Sequence, residues 1–102
     1  MSLRRACSYR ATFTLKEPAG NFKALVVTIS QNKQQIIKKA KENLELLDNV
    51  VAVNLTQEET LLFRAGTLAQ IQLRAYKSDY DAPGTKIFTI DVYPSLDEEV
   101  LP

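Results

Sequence analysis

The stretch Gln34-Gln35-Ile36-Ile37-Lys38-Lys39-Ala40-Lys41-Glu42-Asn43-Leu44-Glu45-Leu46-Leu47 decides the fold, because it fits two different elements. Ile36, Ile37, Ala40, Leu44 and Leu47 fall at helical spacing, and the Gln, Lys, Glu and Leu content favours a helix. The alternative divides the stretch into a strand over 35–39, a polar break at Lys41-Glu42-Asn43 and a short strand over 44–47. Asp48-Asn49 is then a two-residue turn into Val50, since both side chains bond locally and enter left-handed backbone space. Turn signals on both sides of Ile36-Ile37 and Leu46-Leu47 favour the strands.

Upstream, Tyr9, Ala11, Phe13 and Leu15 alternate with Arg10, Thr12 and Thr14, the period of a half-buried strand. Pro18, Gly20 and Asn21 interrupt it. A strand over 23–31 is apolar enough on both faces for a central position, and Gln31-Asn32-Lys33 reads as a hairpin turn. Downstream, Val51, Val53 and Leu55 alternate with Ala52, Asn54 and Thr56.

Thr56-Gln57-Glu58-Glu59 has the capping-box pattern and predicts a short helical turn after Leu55. That turn buries Leu61, Leu62 or Phe63 and stops at a left-handed Gly66. A strand over 68–76 points Ala69, Ile71, Leu73 and Ala75 inward. A loop over 77–84 leads to a strand over 86–93 with Phe88, Ile90 and Val92 on one face. Pro94 ends it, and Ser95-Leu96-Asp97-Glu98 repeats the capping pattern, predicting a last helical turn. Short strands separated by turns predict an all-β, immunoglobulin-like β-sandwich. The expected organisation is one domain over 1–102, with loosely attached termini at 1–8 and 95–102 and Met1-Ser2-Leu3 as an added leader.

The chain has 102 residues, 45% hydrophobic and 25% charged, and a net charge of +1, too small for the positive field that holds nucleic acid or an anionic membrane. No apolar run reaches the ~18 residues of a membrane helix. Histidine is absent, which removes the commonest neutral-pH base and metal ligand. With one cysteine, Cys7, the chain forms no internal disulfide, and nothing nearby predicts an activated thiol. The three glycines, Gly20, Gly66 and Gly84, are too dispersed for a phosphate loop.

Every catalytic template therefore lacks a member, and the expectation is a protein that is not an enzyme and holds no cofactor and no metal. Glu58-Glu59, Glu98-Glu99 and the Asp79/Asp81 pair read as solvated turn and helix-start acids. Lys33, Lys38, Lys39 and Lys41 read as a charged face that blunts edge pairing. The candidate working surface is an interface: Arg74, Tyr76, Tyr80 and Tyr93 on or near the outward register of the last two strands, with Val100 and Leu101 in the C-terminal segment. Exposed tyrosines also suit sugar stacking, which keeps a carbohydrate- or cell-surface-binding module as the alternative.

The run Leu55-Thr56-Gln57-Glu58-Glu59-Thr60, Gly66-Thr67 and Ala69-Gln70-Ile71-Gln72-Leu73-Arg74 resembles small phage and prophage tail-module proteins of low-GC Gram-positive bacteria. These are similar to the immunoglobulin-like N-terminal domain of phage baseplate upper proteins. Val27-Thr28-Ile29-Ser30-Gln31-Asn32, Ile90-Asp91-Val92-Tyr93 and the acidic end at Asp97-Glu98-Glu99-Val100-Leu101 extend the likeness over nearly the whole chain. Residues 4–9 depart from it, and no receptor-binding domain follows in this sequence.

The resemblance implies strands for residues 34–47 and no catalytic residues. It also implies a structural tail or baseplate component whose partners are other virion proteins, with homo-oligomerisation as a further expectation. The expected location is the bacterial host cytoplasm during assembly, then the virion.

Overall fold

A computed structural model describes residues 1–77 and 87–101. Among the described residues eight strands form two sheets: β1 (Ser2–Arg4), β2 (Tyr9–Thr14), β3 (Ala24–Gln31), β4 (Gln34–Ala40), β5 (Glu45–Leu47), β6 (Val50–Leu55), β7 (Ala69–Tyr76) and β8 (Ile87–Tyr93). The larger sheet has the order β1-β8-β7-β3-β4 and the smaller β2-β6-β5. With the strands lettered in sequence, the smaller sheet is the B-E-D group of an immunoglobulin domain and the larger is G-F-C extended by C′. The first strand lies parallel to the last, Leu3 opposite Val92. The protein is an all-β sandwich.

The ambiguous stretch resolves as strands. β4 pairs antiparallel with β3, a 3-10 turn spans Lys41–Asn43, and β5 pairs with β6. Helix propensities differ by at most about 0.7 kcal/mol per ordinary residue, so a ladder on each side outweighs them. The β3–β4 turn is tight because Asn32 and Lys33 both adopt positive φ (54° and 63°), the geometry of a two-residue type I′ hairpin. Asp48, at φ 50°, opens the β5–β6 turn.

Alternation builds the core. Leu25, Val27 and Ile29 on β3, Ile71 and Leu73 on β7, and Val51, Val53 and Leu55 on β6 are all buried between the sheets, and β3 is central between β4 and β7. Lys39, from β4, crosses to the other sheet: its Nζ donates to the Asn54 carbonyl (2.8 Å) and to Glu59 Oε1 (3.0 Å).

The ends depart from expectation. Residues 1–8, read as loose, carry β1, and Leu3, read as part of a leader, is 2% exposed in the core. Burying a leucine removes roughly 1.5–3 kcal/mol worth of apolar surface from water, enough to order a three-residue strand already bonded to β8. Residues 95–101 form no helical turn. The Asp97 carboxylate accepts from the Glu99 amide, a local turn, while Arg5 pairs with Glu98 at 2.6 Å and Gln57 exchanges two hydrogen bonds with the Leu101 backbone. Side-chain ties to the body hold this segment against the fold.

Candidate functional site

The capping box forms as the sequence predicts. Thr56 Oγ1 accepts from the Glu59 amide (3.2 Å) and Glu59 Oε1 accepts from the Thr56 amide (2.9 Å), starting α1 (Gln57–Thr60). Burial pushes the Glu59 carboxyl up, but the Thr56 amide and the hydrogen bond and charge of Lys39 outweigh it and hold the carboxyl below its ordinary value. Glu59 is thus a structural acid that joins the cap to β4. Glu58 is exposed.

The helix is only one turn long and ends at Leu61 in right-handed geometry. Phe63 is buried, whereas Leu62 is 61% exposed. Gly66 does not cap the helix. Its positive φ (78°) turns the chain later, so that its amide donates to the Val92 carbonyl (3.0 Å).

The expected interface residues do not form one platform. Arg74 and Tyr76 sit together on the outward face of β7, the guanidinium 5.5 Å from the ring centroid and donating to the phenol oxygen. Tyr93 ends β8 under Arg4, 5.8 Å away. Extending the Ala69–Ile90 register puts Tyr93 about ten residues of strand, ~34 Å, from Tyr76. Tyr80 lies outside the described residues, as do Asp79 and Asp81. Val100 is half-buried and Leu101 is 64% exposed beside Gln57.

Two clefts are relevant, the first of them lined by Tyr93. One, about 260 Å³, runs between Gly66-Thr67-Leu68 and the end of β8, lined by Asp91, Tyr93 and Pro94. The other, about 430 Å³, is mostly apolar and lies between the C-terminal half of β2 and the larger sheet, bounded by Phe13, Leu15, Leu73, Phe88 and Met1. Phe88 shares the inward face with Ile90 and Val92, as expected, but is 42% exposed, because among the described residues β2 is the last strand of the smaller sheet on that side.

The lysine group divides. Lys39 ties the two sheets, and Lys41 Nζ donates to the Phe22 carbonyl (2.7 Å), while Lys33 in the β3–β4 turn and Lys38 on β4 are exposed. Among the described residues no three His, Cys, Asp or Glu side chains are grouped to hold a metal ion, and no helix is long and apolar enough to cross a membrane. Cys7 is exposed in the β1–β2 turn.

A buried residue that sequence reading places in a turn also matters here. Gln31 is 5% exposed and bonds to the α1–β7 connection. Its inward parity with Leu25, Val27 and Ile29 is the signal that marks it.

No protein-family model matches the chain, and no curated protein matches it. The crystal structure of "a putative glycoside hydrolase from Bacteroides vulgatus ATCC 8482" is similar in fold, with a TM-score of 0.50 and 13% identity. The likeness covers 92% of this chain and 16% of that one, so this chain spans about one sixth of that protein's length. At that identity the match speaks to the fold alone.

Proposed function

We propose that this protein is an accessory structural component of a phage or prophage tail or baseplate, working through contacts with other virion proteins or with copies of itself. The observation that carries the reading is the place of the resembling stretch in the fold. Its residues build β6, the capped turn and β7, the centre of both sheets and the connection between them. In support, Leu62, Leu68, Tyr93, Leu96 and Leu101 are exposed, all of them on the α1–β7 connection or from the end of β8 onward, and apolar groups of this kind serve protein contacts. In this reading the protein has no catalytic role and acts first in the host cytoplasm and then in the particle. Virions produced from the encoding prophage should contain the protein by mass spectrometry, and purified particles without it would discard the reading.

A second reading, a carbohydrate- or cell-surface-binding module, is favoured by the cleft that Tyr93 lines together with Asp91 and Thr67, an aromatic residue beside polar ones. Tyr76 lies too far from Tyr93 to share that cleft, so in this reading the two act as separate stacking faces. A glycan array on which the protein binds nothing removes it.

A further inference from the structure

Among the described residues β2 has one paired side and one open side. The Leu15 amide donates to the Asn49 carbonyl (2.7 Å) and the Leu15 carbonyl accepts from Asn49 Nδ2 (3.0 Å), so the polar backbone groups of Leu15 face β6. Strand periodicity gives Phe13, Ala11 and Tyr9 the same direction, and turns the N–H and C=O groups of Arg10, Thr12 and Thr14 the opposite way. Among the described residues no backbone group bonds to these three on that side.

The other edges carry features that discourage pairing. β4 has Lys38 and Lys39 and a register shift against β3, while β1 and β5 are three residues long. β2 is six residues long, in unbroken register with β6, and has no lysine or proline. Its one charged side chain, Arg10, is bound to Glu45 and Asn54 across the sheet.

Beside this edge the larger sheet continues. β2 lies against Leu73 and Phe88 and β1 is a strand further out, so the apolar cleft with Phe88 and Met1 (50% exposed) borders the open groups of Thr12 and Thr14. In immunoglobulin domains this place in the smaller sheet belongs to strand A.

We propose that the open edge of β2 takes an extended segment of a partner protein as an added strand, with apolar side chains at alternate positions seated in the cleft over Phe88. The chemistry selects this occupant. Alternating donors and acceptors at strand spacing are matched by another extended backbone, and a floor on one side only asks for apolar residues at every second position. The larger sheet continues past β2 through β8 and β1, which leaves an apolar floor beside β2 for one added strand. The inference rests on the reading of the protein as an interaction module and names where and how it binds.

The probe is an acetylated, amidated peptide of seven alternating threonines and valines with a lysine at each end. Adding it should shift the NMR amide signals of Arg10, Thr12 and Thr14 and slow their hydrogen exchange by at least about tenfold. Thr12→Pro removes a donor on the open side and leaves the β6 ladder intact, so it should fold and bind the peptide at least about tenfold more weakly. Phe88→Lys, at a half-exposed position, should weaken binding through the cleft floor alone.

Three results overturn the proposal: open-side amides already protected in the free protein, a peptide that leaves them unmoved, or equal binding by Thr12→Pro. A dimer abolished by Thr12→Pro would assign the edge to a second copy and overturn it as well. Detection in virions is independent of the peptide result, so failure of this site and failure of the virion reading are distinguishable.

Discussion

Gln31 and Arg64 are bonded reciprocally: Gln31 Nε2 donates to the Arg64 carbonyl at 2.7 Å, and the Arg64 amide donates to Gln31 Oε1 at 2.7 Å. The same Nε2 also donates to the Thr67 carbonyl at 3.0 Å. One side chain at the end of β3 therefore fixes both limbs of the loop that carries the chain from the smaller sheet to the larger. Gln31→Ala should cost about 2 kcal/mol, since it strips partners from three backbone groups that water only partly reaches. Urea denaturation measures the loss. Gln31→Glu should cost more near neutral pH, because an ionised carboxylate then faces two carbonyls, and it should recover in acid as the carboxyl gains a proton to donate.

The capping box gives a smaller effect. Thr56→Ala removes the hydroxyl that accepts from the Glu59 amide and should cost about 1 kcal/mol, read as a lower thermal midpoint.

Glu59 carries a pH dependence with a definite sign. Its carboxyl is held below its ordinary value of 4.5 in the fold, so the stabilisation is present above that value and is lost as pH falls through the lower folded value. Stability should therefore decline below about pH 4.5, and Glu59→Gln should flatten part of that decline. Lys39→Met should flatten it less, because the Thr56 amide still stabilises the charged form. Denaturation curves at pH 7 and in the acid range distinguish the variants.

The strands were readable in the sequence wherever one face is apolar and the other polar, as in β7, where Ala69, Ile71, Leu73 and Ala75 are buried as the alternation predicts. Residues 34–47 were harder because Lys and Gln suit a helix and an exposed edge strand equally well, and the partner strand that decides the matter is distant in sequence. β1 was hidden by its length, since three residues show no period. The candidate site was less legible. The outward parity of Arg74, Tyr76 and Tyr93 could be counted, but their separation depends on the β7–β8 register, which no local pattern encodes. The open edge of β2 is a property of the whole sheet order and was invisible for the same reason.

Lys33 occupies left-handed space at φ 63° with its side chain exposed. A non-glycine residue there costs roughly 1 kcal/mol, and type I′ hairpins favour Asn-Gly. Lys33→Gly should be neutral to stabilising by up to about 1 kcal/mol after the entropy of the freer unfolded chain is subtracted, raising the midpoint by a few degrees. The neighbouring Asn32→Val should do the opposite, because a β-branched side chain is strained at φ 54°.

Leu3 decides whether the N-terminal strand belongs to the core. It is 2% exposed, opposite Val92, and the Arg5 amide just beyond it bonds to the Tyr93 carbonyl at 3.0 Å. Leu3→Ala should cost about 2–4 kcal/mol if the site collapses as little as other packed cores do. Loss of β1 would also bare the outer side of β8, so the same substitution should speed hydrogen exchange at Asp91, whose amide donates to the Met1 carbonyl at 3.0 Å. An appended segment without a structural role would leave both readouts at wild-type values, and exchange at Asp91 separates a local opening of the β1–β8 pair from a general loss of stability.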